Sequence, residues 1–381
     1  MGLRDSWKHF RRGRIGARAL AISVILAVSA GIVVITSPSR PTALWSTGYT
    51  WPLAAHPETS DPVSRTGGLY VDPDNQPTAW VRDNPTDPRS AEIRRGIADL
   101  PIGRWFLGNW DESQVARKYT SDAQRVQRLP VLVLYNMPQR DCGGYSSGGA
   151  GDEGSYRSWV DGVVRGVGSR PALVIVEPDA LAGLSCLDQA GQERRLRLLS
   201  YVVNQFATRA PATWVYLDAG HSSWVDPPTM ADRLIRAGVG EARGFALNVS
   251  NYQSTQVNVG YGQAVARQLE EHGIQARFVI DTSRNGSGGN TTEWCNPPGQ
   301  RVGVSPRLGG ADGLDLQLWA RPPGESDGQC GISPSAPPGA FVPSVAFTLL
   351  TGSDPPGWVF GLEAPSNLWH MLQSGQAPRP W

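Results

Sequence analysis

The sequence predicts an α/β fold in which parallel strands close into a barrel, and three features of the chain carry that expectation. Short apolar runs recur at residues 105–107, 132–135, 173–176, 215–217, 244–247, 278–280 and 314–319. Asp315 apart, they are free of charge until they end, as strands covered on both faces must be. Between them, apolar residues follow the helical period: Tyr156, Trp159, Val160, Val163, Val164 and Val167, then Leu196, Leu199, Val203 and Phe206, then Tyr261, Val265 and Leu269. Finally, aspartates stand at or near the ends of the runs: Asp141, Asp179, Asp218 and Asp327. Repeated strand–helix units imply a parallel barrel or a doubly wound sheet. Polar residues gathered at strand carboxyl ends favour the barrel, where such folds place their chemistry.

The doubly wound alternative gains little from the one GxGxxG pattern, Gly149, Gly151 and Gly154. The nearest apolar run before it ends at about Tyr135, so the tight strand-to-helix turn of a dinucleotide site is missing. No Walker sequence occurs.

The amino terminus is a separate device. Arg4, Lys8, Arg11, Arg12, Arg14 and Arg18 precede an uncharged stretch over residues 19–36, which keeps the positive side cytoplasmic and directs the remainder outward. At this length a cleaved signal peptide and an uncleaved anchor are both open. Positive-inside charge explains Arg11 and Arg12 without twin-arginine export. We assign residues 1–44 to a signal peptide or signal anchor with linker, and 45–381 to one domain, with a proline-bearing, irregular lead-in over residues 37–62. The expected location is secreted, or anchored to the outer face of the cytoplasmic membrane.

In an exported chain, four cysteines favour two disulfides, with three possible pairings. Cys142 with Cys186 would staple the loops that follow Asp141 and Asp179, and Cys295 with Cys330 would clamp the last loop. A metal site is disfavoured, because there is no CxxC or HExxH spacing and the five histidines are scattered. A nucleic-acid surface is disfavoured too: 35 Lys and Arg against 34 Asp and Glu leave a net charge of +1 and no basic stripe. Membrane contact is expected only through the amino-terminal segment, and the domain is expected to be monomeric. Fourteen tryptophans with 44 glycines and 31 prolines suggest a loop-rich surface with flat apolar faces, the kind that stack on sugar rings.

Several motifs, in order and with plausible spacing over residues 69–351, go beyond a generic barrel. They are Tyr135-Asn136-Met137-Pro138-Gln139-Arg140-Asp141-Cys142, Val176-Glu177-Pro178-Asp179 and Tyr216-Leu217-Asp218-Ala219-Gly220-His221. Asn248 to Tyr252, Asp281-Thr282-Ser283-Arg284-Asn285-Gly286, Glu293-Trp294-Cys295-Asn296 and Pro323-Gly324-Glu325-Ser326-Asp327-Gly328 complete the set. Together they resemble glycoside hydrolase family 6, the cellobiohydrolases and endoglucanases of cellulase family B. The resemblance implies a distorted barrel of fewer than eight strands, inverting hydrolysis of β-1,4-glucan, and no cofactor.

Carried over by position, the resemblance makes Asp179 the general acid that protonates the leaving oxygen. Asp141 matches the aspartate that keeps this acid protonated, since two nearby carboxylates resist ionising together, and Arg140 would hold that loop's charge. Ser147 matches the serine that holds the attacking water, in a flexible loop. Tyr135 matches the tyrosine that crowds the ring being cleaved. Asp218 and His221 fall where the family shapes the same subsite, with Trp80, Trp224 and Trp294 as stacking platforms, Asn248 as a hydroxyl partner and Glu325 as a polar contact. Asp327 is a candidate base or charge partner. Arg321 departs from the lysine usual before Pro-Pro-Gly-Glu, and a guanidinium there could hold the same hydroxyls bidentately.

An endoglucanase acting on internal bonds is the leading expectation. Cys186 follows Asp179 closely, and the last cysteine pair is 330 − 295 = 35 positions apart, which leaves little chain for a roof. No carbohydrate-binding module is expected beside the domain. The alternatives are a cellobiohydrolase of the same family and a glucan-binding protein without turnover.

Overall fold

A computed structural model describes Val63 and residues 65–109, 111–289 and 291–353. The segment 1–44 with its apolar stretch, the lead-in to residue 62, and residues 354–381 lie outside the described residues. Among the described residues, no helix is long and apolar enough to cross a membrane.

Among the described residues eight strands form one sheet: β1 (Arg104–Phe106), β2 (Val131–Leu134), β3 (Ala172–Val176), β4 (Thr213–Asp218), β5 (Gly244–Leu247), β6 (Arg277–Asp281), β7 (Arg307–Leu308) and β8 (Leu314–Leu318). Their order is β1-β2-β3-β4-β5-β6-β8-β7. Every neighbour pair is parallel except β7 with β8. Seven parallel strands therefore carry the barrel. The two-residue β7 was not foreseen, since both its residues are exposed and no apolar run marks it. The ring is joined at its seam by the Gly103 amide, which donates to the Trp319 carbonyl at 2.8 Å, and by Trp105 Nε1, which donates to the Ala320 carbonyl at 2.8 Å.

Side chains alternate across each strand, so each strand serves two cores. Val131, Val133, Leu173, Ile175, Tyr216, Val279 and Leu316 fill the barrel interior. Leu132, Leu134, Val174, Val176, Phe245 and Phe278 face the helices. The helices are α1 (Gln76–Asp83), α2 (Ser90–Ile93), α3 (Glu112–Arg125), α4 (Glu153–Val167), α5 (Gln189–Arg209), α6 (Pro227–Arg236), α7 (Thr255–Glu271) and α8 (Pro343–Thr351). Most of the long ones begin on a short polar side chain that accepts an otherwise orphaned backbone N–H: Asp111 for α3, Asp152 for α4, Asp188 for α5, Asp226 for α6 and Ser254 for α7.

A third core lies under α1 and α2, and Trp80 belongs to it. The Trp80 ring is 6% exposed, 6.2 Å from the Phe341 ring, with the Arg89 guanidinium 5.4 Å from its centroid. Contrary to the sequence expectation of a stacking platform, its faces are taken up by protein. Both expected cysteine pairs are joined, Cys142 to Cys186 with Cα atoms 6.2 Å apart and Cys295 to Cys330 at 5.9 Å.

Candidate active site

The carboxyl ends of the strands are where the backbone is forced into unusual shapes. Of nine non-glycine residues in the left-handed region among the described residues, eight lie in the loops at this end: Gln139, Asp141, Cys142, Glu177, Asp179, Asn248, Ser250 and Asn296. Each such residue costs about 1–3 kcal/mol and persists only where its surroundings over-determine it. The loops after β2 and β3 are held by the Cys142–Cys186 link.

Asp179 follows β3 and lines a cleft of about 390 Å³ together with Tyr135, Asp141, Ser146, His221, Trp224, Trp294, Arg321 and Asp327. Burial raises its carboxyl to about 7; the Asp141 charge adds to the rise and Arg321 opposes it. An acid in that range holds its proton in mildly acidic water yet can give it up, which a general acid requires. Asp218 ends β4 and is only 1% exposed. Its Oδ1 accepts from the backbone amides of Asp179 at 2.9 Å and Gly220 at 3.0 Å, whereas its Oδ2 is buried with no hydrogen-bond partner among the described residues. Burial, with Asp179 as a close like charge, therefore pushes Asp218 well above the ordinary carboxylate range. Asp141 is raised as well, by burial, against the pull of the Ser146 amide and Arg140.

Opposite this acid cluster, Asp327 is ringed by donors. Its Oδ2 accepts from Tyr252 Oη at 3.0 Å, Arg284 Nη1 at 2.9 Å and the Asn296 amide at 3.0 Å, and Arg321 Nη2 stands 3.4 Å from Oδ1. Arg321 also donates to the Ser326 carbonyl. Glu325 turns away to accept from Gln76 Nε2 at 2.8 Å, and burial lifts it to about 7.

The rest of the site is aromatic. Tyr135 packs edge-on against Trp105 at 5.3 Å under the Arg140 guanidinium, 4.8 Å from its ring centroid. Arg140 otherwise donates to the carbonyls of Tyr135 at 2.7 Å and Ser146 at 2.8 Å, so it holds the loop by its backbone. Trp224 and Trp294 are 44% and 53% exposed, and His221 lies 5.5 Å from the Trp224 ring. Burial lowers His221 to about 4, so its imidazole is neutral at working pH. Ser147 and Asn248 also stand apart from the cleft surface. Ser147 is exposed beside Ser146, which lines the cleft and donates its amide to Asp141 Oδ2 at 2.7 Å. Asn248 is fully buried; its side chain donates to the Asp281 carbonyl at 2.9 Å and accepts from the Gln253 amide at 3.1 Å.

Sequence reasoning missed Trp105, Ser250, Asn251 and Thr292 on the cleft wall, and Tyr252 and Arg284 behind Asp327. Trp105 carried a signal, since it opens an apolar run. Tyr252 and Arg284 lay inside motifs already noted, but nothing in their spacing pointed to Asp327. A tyrosine, a half-buried carboxyl raised to about 7 and two exposed tryptophans on one cleft wall are of the kinds that can stack on a sugar ring and donate a proton to it.

Comparison with known proteins gives the family. Residues 65–345 match the model of glycosyl hydrolases family 6. The chain is 44% identical to endoglucanase 1 of Streptomyces halstedii over 297 residues, 77% of this chain and 91% of that protein. Against endoglucanase A of Thermobispora bispora it is 40% identical over 76% of this chain and 63% of that protein. Among solved structures, the endoglucanase Cel6 of Mycobacterium tuberculosis, in complex with methyl-cellobiosyl-4-deoxy-4-thio-β-D-cellobioside, superposes with a TM-score of 0.70 at 40% identity, covering 76% of this chain and 98% of that one. The chain belongs to glycosyl hydrolases family 6.

Proposed function

We propose that this domain hydrolyses internal β-1,4-glucosidic bonds of cellulose or a related β-glucan with inversion at the anomeric carbon. The observation that carries the proposal is Asp179, a carboxyl raised to about 7 on the wall of a cleft flanked by exposed tryptophans. In this reading Asp179 gives its proton to the leaving oxygen while water attacks from the opposite face of the ring and releases its own proton to solvent. Burial and the Asp141 charge keep Asp179 protonated, and Asp218 holds it in place by accepting its backbone amide. Tyr135 presses on the ring being cleaved, and Trp224 and Trp294 stack on its neighbours. Asp327, whose Oδ2 already accepts from three donors, acts as charge partner to Arg284 and Arg321 rather than as a free base. Arg321 stands on the cleft wall where it can reach sugar hydroxyls.

The test is product chemistry. Proton NMR in the first minutes on a soluble cello-oligosaccharide should show the α-anomer; a β-anomer would overturn inversion. On carboxymethylcellulose, viscosity should fall sharply at low reducing-sugar yield. Cellobiose as the dominant early product with viscosity unchanged would instead favour the activity named for a more distant relative, the probable cellobiohydrolase C of Aspergillus fumigatus, 27% identical over 359 residues. No release of reducing sugar would favour a non-hydrolytic glucan binder. Export to the cell exterior, by a cleaved signal or an anchor, belongs to the same proposal; sequencing the amino terminus of the exported protein tests it.

A further inference from the structure

Glu177 lies two residues before Asp179, and its side chain points away from the cleft. It is 1% exposed and sits at the end of β3, in the left-handed region at φ 51°. Both its oxygens take backbone donors from the neighbouring strand end. Oε1 and Oε2 accept the Asn136 amide at 3.1 and 3.0 Å, and Oε2 accepts the Met137 amide at 2.9 Å. Tyr156 Oη, from α4, donates to Oε1 at 2.9 Å. From α5, the buried Arg195 donates through Nη2 to the Gln139 carbonyl at 2.8 Å and through Nη1 to the Ala180 carbonyl at 3.4 Å. Glu177 and Arg195 thus tie the segment bearing Tyr135, Asp141 and the flanking loop to the segment bearing Asp179.

We propose that Glu177 is a positioning residue for catalysis, a buried carboxylate that fixes Tyr135 and Asp141 relative to the general acid by binding the Asn136 and Met137 amides. The inference rests on the roles proposed above for those residues. Burial raises the Glu177 carboxyl to about 7 against the pull of the Asn136 and Met137 amides and the Tyr156 hydroxyl, and it is the donors around it that call for an acceptor with two oxygens. Two adjacent backbone N–H groups and a hydroxyl converge on it, and a carboxylate has two oxygens able to accept all of them. An amide offers one oxygen, and its NH₂ would face a donor. The segment would then shift, and displacement of a reacting group by about 1 Å is enough to cost on the order of 10²-fold in rate. Trp224 is not attached to this segment and Trp294 touches it only through the Tyr145 ring, so ground-state stacking should change little.

The full chain carrying Glu177→Gln or Tyr156→Phe is compared with wild type on a soluble cello-oligosaccharide, with folding followed by circular dichroism. Glu177→Gln should lower kcat roughly 10- to 100-fold with KM within about threefold. Tyr156→Phe keeps the ring and both amide bonds and removes one donor; kcat should fall about three- to tenfold, again at unchanged KM. A folded Glu177→Gln protein with wild-type kcat, or with its loss expressed in KM, overturns the proposal. If that variant does not fold, wild-type kcat in Tyr156→Phe overturns it. Asp179→Asn serves as the reference: retained activity there would sink the site assignment itself, independently of Glu177.

Discussion

The two ends of this barrel handle buried acid in opposite ways. At the amino ends of the strands, Asp315 of β8 is buried and met on every side by donors: Tyr216 Oη at 2.6 Å, Arg243 Nε at 2.9 Å and Nη2 at 3.1 Å, and Arg277 Nε. At the carboxyl ends, Asp179, Asp218 and Asp141 crowd together, and the nearby cations, Arg140 and Arg321, are engaged largely by backbone carbonyls and Asp327. One end satisfies its carboxylate, whereas the other crowds its carboxyls together in burial with few cations to spare, which raises them above the ordinary carboxylate range. The contrast separates a charge that holds strands together from charges arranged to move a proton.

The largest effect that would break this comparison is on rate. Asp179→Asn should cost roughly 10²- to 10⁴-fold on cellulose, whose leaving group needs protonation, and far less on an activated aryl glycoside. Equal losses on both substrates would deny Asp179 the acid's role. Next, Asp315→Asn should leave kcat of the folded protein unchanged but lower stability by about 1–3 kcal/mol, because Arg243 and Arg277 lose a shared counter-charge while remaining partly solvated. Urea unfolding measures it, and a change in kcat instead would mean the two ends are coupled.

A smaller effect is a shift in pH dependence. Asp179 must be protonated to act, so activity should fall as pH rises through about 7. Asp141→Asn removes a like charge, so Asp179 should ionise more readily and this alkaline limb should move to lower pH; an upward shift would contradict the proximity argument. Stability follows the same sign. Asp179 and Glu325 are each raised to about 7 in the folded protein, so they bind protons more tightly folded than unfolded. Their contribution is complete below the ordinary carboxylate range and is lost as pH rises through about 7. Thermal unfolding from pH 5 to 8 should show the decline, and Asp179→Asn should flatten it.

What was legible in the sequence was what local spacing encodes. All seven parallel strands fall within a residue or two of the apolar runs, and α4, α5 and α7 carry the stripes read from the sequence. The aspartates at the strand ends were visible because a charge after an apolar run marks where a strand stops. Partners distant in sequence were not visible. Glu177 meets amides about 40 residues earlier, and Asp327 meets Arg284 and Tyr252 across two other loops; no period in the chain records such a meeting. Trp80 shows the converse. A tryptophan near a motif reads equally well as platform or as core, and only the Phe341 and Arg89 side chains on its faces decide between them.

The Tyr145 and Trp294 rings, both half exposed and 6.0 Å apart, are where the two disulfide-linked loops meet. Gly328 makes room for the contact, since a Cβ there would come within 2.7 Å of the Tyr145 ring. An aromatic pair of this kind contributes about 0.5–1.5 kcal/mol, one to three times thermal energy, so the clasp parts and re-forms without help. On the proposed reading, a glucan chain is then laid in from the side instead of being threaded from a terminus. The frequency of productive encounters should accordingly scale with the total length of accessible glucan and be indifferent to how many chain ends that length is divided among.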